Sequence, residues 1–233
     1  MSAIAFDHVT KRYPNGREAL VDASFTIGAG EMVFLTGRSG AGKSTLLKLI
    51  ALLERPTRGS VTVNGRNTNT LRPRDVPAYR RDLGIVFQDH RLLADRPVFD
   101  NVALPLVVAD AGIKEIDKRV RAALDQVGLL GKERSLPLEL SVGEQQRVGI
   151  ARAIVGKPAV LIADEPTGNL DRDLALEVMR IFRRFQDVGV TVVVATHDLP
   201  LVHEFGQREI AIDNGRVLRV GEPPAPPVLQ AIQ

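Results

Sequence analysis

Met32-Val-Phe-Leu-Thr36-Gly37-Arg38-Ser39-Gly40-Ala41-Gly42-Lys43-Ser44-Thr45 joins an apolar run to a glycine-rich turn, and residues 43–53 continue it with helical character. The apolar run suits a strand buried on both faces, so the unit is strand, loop, helix. Glycines at 37, 40 and 42 let the backbone bend until its N–H groups and the helix N-terminus converge on one point, which favours an anion. Lys43 and Ser44 complete the spacing Gly-x-x-x-x-Gly-Lys-Ser of a phosphate-binding loop. In such a loop residues 37–45 cradle the phosphates of ATP, Lys43 reaches the β and γ groups, and Ser44 ligates Mg²⁺.

Outward from the loop, residues 4–9, 23–27 and 60–63 read as strands, divided by turn signals at Asn15-Gly16, Gly28-Ala-Gly30 and Asn64-Gly65. They form an expected antiparallel β region around the buried strand at 32–36. Ile113, Ile116, Val120, Leu124 and Val127 recur at helical spacing and stop at Gly128, within a helical insertion over about residues 91–155. Apolar runs at 159–163 and 190–195 have the character of parallel-sheet strands, and residues 174–186 between them read as a helix. The fold class is α/β, one domain over 1–220 with an inserted α-helical sub-domain. Residues 221–233, which include Pro-Pro-Ala-Pro-Pro, cannot sustain a helix or a central strand and read as a flexible tail.

The run at 159–163 leads into Asp164 and Glu165. An apolar interior tolerates paired carboxylates only beside a cation or polar partners. Asp164 suits the Mg²⁺ shell, and Glu165 suits polarising the water that attacks a phosphate. A strand-end turn uses the same residue types; the phosphate-binding loop in the same chain favours the chemistry.

Bulk properties narrow the classes. At 233 residues, with 44% apolar and 25% charged, the chain can bury a core without staples. Lys and Arg number 31 against 28 Asp and Glu, a formal +3, which argues against a nucleic-acid-binding surface. There is no cysteine, hence no disulfide framework or cysteine metal site. The first ten residues carry Asp7 and no basic flank, so they do not read as a signal peptide, and the longest apolar runs are too short to span a bilayer. Membrane contact is expected through a partner, on the cytoplasmic side.

Taken in order, these features resemble the ATP-binding cassette (ABC) ATPases over roughly residues 4–220. Leu140-Ser141-Val142-Gly143-Glu144-Gln145-Gln146-Arg147 is similar to the family's signature motif. The resemblance implies a RecA-like core and a homodimer, in which Ser141 and Gly143 at a helix N-terminus bind the γ-phosphate held by the other subunit. It further implies that Tyr13 stacks on adenine, Gln88 touches Mg²⁺ or water, Asp171 belongs to a loop that crosses the dimer, and His197 senses the γ-phosphate. Val142 departs from the family's usual glycine. A β-branched residue there resists positive φ and adds bulk beside the nucleotide interface.

Within the family, Asp164-Glu-Pro-Thr-Gly-Asn-Leu-Asp171 resembles the cell-division branch together with the related lipoprotein-release and macrolide-export ATPases, and Gln88-Asp-His-Arg-Leu-Leu93 is the part that most resembles the cell-division branch. That implies an FtsX-like integral membrane subunit as partner and control of peptidoglycan hydrolysis at the septum. Leu92, Leu93, Val98 and Phe99 are expected to form a small apolar docking groove, with Arg91 and Arg96 on its rim. A lipoprotein-release or macrolide- or solute-export ATPase would share every catalytic residue and differ in its membrane partner.

Overall fold

The computed structural model describes residues 2–221, so the expected tail beyond Gly221 lies outside the described residues. In chain order the strands are β1 (Ser2–Arg12), β2 (Glu18–Gly28), β3 (Met32–Thr36), β4 (Arg58–Val63), β5 (Arg66–Asn67), β6 (Leu83–Val86), β7 (Val160–Asp164), β8 (Thr191–Thr196), β9 (Arg208–Asp213) and β10 (Arg216–Val220). The helices are α1 (Lys43–Ile50), α2 (Val76–Arg81), α3 (Val98–Val108), α4 (Ile113–Gln126), α5 (Val142–Ile154), α6 (Arg172–Asp187) and α7 (Leu199–Phe205).

Two sheets result. One is antiparallel, in the order β2-β1-β4-β5; the other runs β10-β9-β3-β8-β7-β6 and is parallel except for the edge strand β10. The expectation that residues 32–36 lie within the antiparallel region does not hold, because β3 sits between β8 and β9 in the parallel sheet. The reason is burial on two faces. Met32 and Phe34 join a core shared with α3–α7, while Val33 and Leu35 join a second core shared with α1 and the antiparallel sheet. β8 divides likewise, Val192 and Val194 to one side and Val193 and Ala195 to the other. Strands with two apolar faces need a cover on each, and only a layered arrangement supplies both.

Helices α3, α4 and α5 occupy the chain between β6 and β7, the stretch expected to be helical. They pack through Val102, Leu106, Val120, Leu124, Val148 and Ile150. Ile113 is exposed although its spacing fits the apolar stripe, because it opens the first turn of α4. Helix α1 stops at Ile50 and not at 53, where Leu52 takes the left-handed region at φ 52°.

The docking groove also needs correction. Val98 is fully buried at the start of α3, and Leu92 and Phe99 pack against the same core. Of the four residues only Leu93 is exposed, at 42%.

Strand order in the parallel sheet gathers distant segments. The carboxyl ends of β3, β8, β7 and β6 lie side by side, about 4.8 Å apart, so the loop after Thr36, His197, Asp164 with Glu165, and Gln88 arrive at one edge.

Candidate nucleotide-binding and catalytic site

The loop after β3 needs glycine for steric reasons. At Gly37, φ 146°, a Cβ would stand 2.1 Å from the Ile212 carbonyl oxygen, and at Gly42, φ 121°, 2.7 Å from that of Ala19. Only glycine lets the backbone pass so close at positive φ. Helix α1 then starts at Lys43 with no side-chain cap and no acidic residue in its first turn. Its first N–H groups therefore face the loop without a competing anion.

Lys43 is 6% exposed, and its Nζ donates to the carbonyls of Gly37 at 2.7 Å and Arg38 at 3.3 Å. The same Nζ lies 3.3 Å from Oε1 of Glu165, whose Oε2 lies 2.9 Å from Nδ1 of His197. Glu165 leaves β7 in the left-handed region, φ 48°, and its N–H donates to the Ala195 carbonyl at 2.9 Å. This abrupt exit brings the carboxylate under the loop. Such conformations persist where the surroundings over-determine them.

Asp164 is the last residue of β7. Burial pushes its carboxyl above the ordinary range, against a hydrogen bond with Ser44 that lowers it, while the charge of Glu165 raises it further. Its Oδ1 is buried and has no hydrogen-bond partner.

A cavity of about 800 Å³ opens over these groups. Among the residues expected from sequence, Tyr13, Gly37, Arg38, Ser39, Gly40, Gly42, Lys43, Ser44, Thr45, Gln88, Glu165 and His197 line it. Ala41, within the loop, is buried against the core beneath it. Sequence reasoning missed Arg17 and Lys48, which also line the cavity. The Arg17 Nη2 donates to the Gly40 carbonyl at 2.9 Å. Nothing local to Arg17 signals this, since only the placement of β2 beside the loop brings it there.

The family model described as ABC transporter matches residues 20–168. The chain belongs to the ABC transporter family. It is 54% identical to the cell division ATP-binding protein FtsE of Escherichia coli (strain K12), over 92% of this chain and 96% of that protein. The FtsE of Bacillus subtilis (strain 168) is 47% identical over 93% of this chain and 95% of its own length. The dimeric structure of MJ0796, a bacterial ABC transporter cassette, superposes with a TM-score of 0.86 at 37% identity, covering 94% of this chain and 98% of that one. A dimeric post-hydrolysis state of the same cassette, bound to ADP and Pi, matches with a TM-score of 0.86 at 36% identity. The chain is an ABC ATPase, an enzyme that binds adenine nucleotide and hydrolyses ATP.

Besides Ala41 and Asp164, which lie behind the cavity wall, three residues expected at an ABC nucleotide site do not line the cassette's own cavity: Ser141, Gly143 and Asp171. Ser141 caps α5, its Oγ accepting from the Glu144 N–H at 3.2 Å while Glu144 Oε2 accepts from the Ser141 N–H at 2.9 Å. The spacing Ser-x-x-Glu carried this capping-box signal in the sequence. Asp171 caps α6, its Oδ1 accepting from the Leu174 N–H at 3.0 Å. Gly143 is buried, and a Cβ there would come 3.1 Å from Leu174 Cδ1. Val142 corrects an expectation. It is the first residue of α5 with ordinary helical backbone and an exposed side chain, so no positive φ strains it. No helix among the described residues is long and apolar enough to cross a membrane.

Proposed function

We propose that this chain is the ATP-hydrolysing subunit of a cell-division ABC complex of the FtsE kind, a homodimer held at the cytoplasmic side of the membrane by an FtsX-like integral subunit. Similarity to FtsE proteins over nearly the whole chain supports the cell-division role. The observation that carries the chemistry is Glu165 held between Lys43 and His197 under the phosphate-binding loop.

Two loop carbonyls and Glu165 take up the Lys43 charge in this structure. Phosphate oxygens of ATP would replace those partners, since a doubly charged γ group is the stronger acceptor. Glu165 is then free to orient the attacking water, with His197 steadying its second oxygen. The residues present fit Mg²⁺: Ser44 and Asp164 offer hard oxygen donors, Asp164 Oδ1 is a buried acceptor without a donor beside Ser44, and Ser44 and Gln88 line the cavity. When bound, Mg²⁺ neutralises charge developing on the phosphates. Tyr13 borders the cavity and would stack on adenine. Ser141, Gly143 and Asp171 lie off the chain's own cavity, which supports their serving the nucleotide of a second copy.

Glu165→Gln tests this. Nucleotide affinity by calorimetry should stay within about twofold while turnover falls about a hundredfold or more, and sedimentation should show ATP-bound dimer accumulating. Turnover at the parental rate would place the base elsewhere.

A further inference from the structure

Between Gln88 and α3 the backbone takes an uncommon path. His90 and Arg91 both occupy the left-handed region, φ 53° and 51°. Two consecutive residues with side chains persist there only where the surroundings hold them. Local contacts contribute: the His90 N–H donates to the Phe87 carbonyl at 3.3 Å, and the Arg91 guanidinium lies 4.2 Å from the centre of the Phe87 ring. The Arg91 Nε also donates to the Asp89 carboxylate at 3.1 Å, and a further contact comes from another element. Arg152, in the last turn of α5, donates through Nη1 to the Arg91 carbonyl at 2.7 Å and through Nη2 to the His90 carbonyl at 2.5 Å.

A partly buried guanidinium ordinarily seeks a carboxylate, and among the described residues Arg152 pairs with none. Burial, together with the nearby Arg91 cation, holds its pKa below the usual arginine range. The rigid, planar fork instead spans two successive main-chain oxygens, a match that a single ammonium cannot make. Gln88, two residues before His90, lines the nucleotide cavity. The clamp therefore ties the direction of Gln88 to α5, whose first turn holds Val142 and Gly143.

We propose that Arg152 is a positioning residue for ATP hydrolysis: by holding residues 90–91 in their left-handed turn it sets how Gln88 enters the nucleotide cavity. The inference rests on the part proposed above for Gln88 and adds to it a residue that touches neither nucleotide nor reacting atoms.

A double-mutant cycle on the full chain, with Arg152→Met, Gln88→Ala and the pair, tests it through kcat, KM for ATP and melting temperature. Arg152→Met should lower kcat about tenfold with KM within about twofold, because the phosphate-binding loop is untouched. The pair should be no slower than Gln88→Ala alone, since both changes act at one point. Arg152→Lys, which reaches one carbonyl at a time, should recover part of the loss. Unchanged kcat in Arg152→Met, or losses that multiply in the pair, would overturn the clamp. If Arg152→Met fails to fold, Arg152→Lys carries the same cycle: a partial loss absorbed by Gln88→Ala supports the proposal, and full activity overturns it. Parental turnover in Gln88→Ala would instead remove the part assigned to Gln88, and with it any route from Arg152 through that residue.

Discussion

Asp164 is a residue whose usefulness and stability oppose each other. Its carboxyl is raised by burial, and its Oδ1 lacks a donor. A raised folded-state pKa means that, between the ordinary value of about 3.9 and the folded one, the folded protein binds more protons than the unfolded chain. The group's contribution to stability therefore falls as pH rises through that window, and it remains unfavourable above it. Asp164→Asn keeps the shape and removes the charge, so it should melt higher than the parent at neutral pH, with the gain shrinking as pH drops through the window. Hydrolysis should fall by orders of magnitude in the same variant, a trade common at active sites. Equal melting temperatures at neutral pH would mean that burial does not set this carboxyl's energetics. Lys43 presents the opposite case, a cation already paired. Lys43→Ala should weaken ATP binding at least severalfold by calorimetry, because it removes the cation placed for the β and γ phosphates. Unchanged affinity would detach the loop from the nucleotide.

At the scale of elements, α5 shows how one short segment serves stability and chemistry together. Ser141 and Glu144 satisfy two otherwise open N–H groups at its start. Ser141→Ala should cost about 1 kcal/mol in urea unfolding, even without nucleotide. A cost near zero would show that the cap is not formed in solution. The bond that Glu144 accepts from the Ser141 N–H holds its carboxyl below the ordinary range, assisted by Lys132 and Arg147. A lowered folded-state pKa gives the cap its full contribution above the ordinary glutamate value and loses it as pH falls through the folded one. Val142 follows the cap as an exposed first helical residue, a position where a valine side chain is tolerated.

On the scale of the whole molecule, two cores on either side of one parallel sheet decide which apolar residues remain for a partner. Val98 belongs to a core, whereas Leu93 is exposed beside it. Val98→Asp should unfold the domain, since it buries a carboxylate without a partner. Leu93→Asp should leave folding and ATP binding intact and weaken co-purification of an FtsX-like membrane subunit; undiminished co-purification would remove Leu93 from the interface. The loop at 37–45 was legible in the sequence because its residues are contiguous, and their glycine spacing states the backbone conformation directly. Strand character at 32–36, 159–163 and 190–195 was legible for the same reason, as was helical spacing in α4 and α6. Strand neighbours were not legible. Pairing is non-local, and burial of both faces put β3 between β8 and β9. That order, decided only in three dimensions, brought Glu165 and His197 to Lys43, carried Arg17 over Gly40, and closed Val98 into the core, because each contact joins residues that only the packing of distant segments makes neighbours.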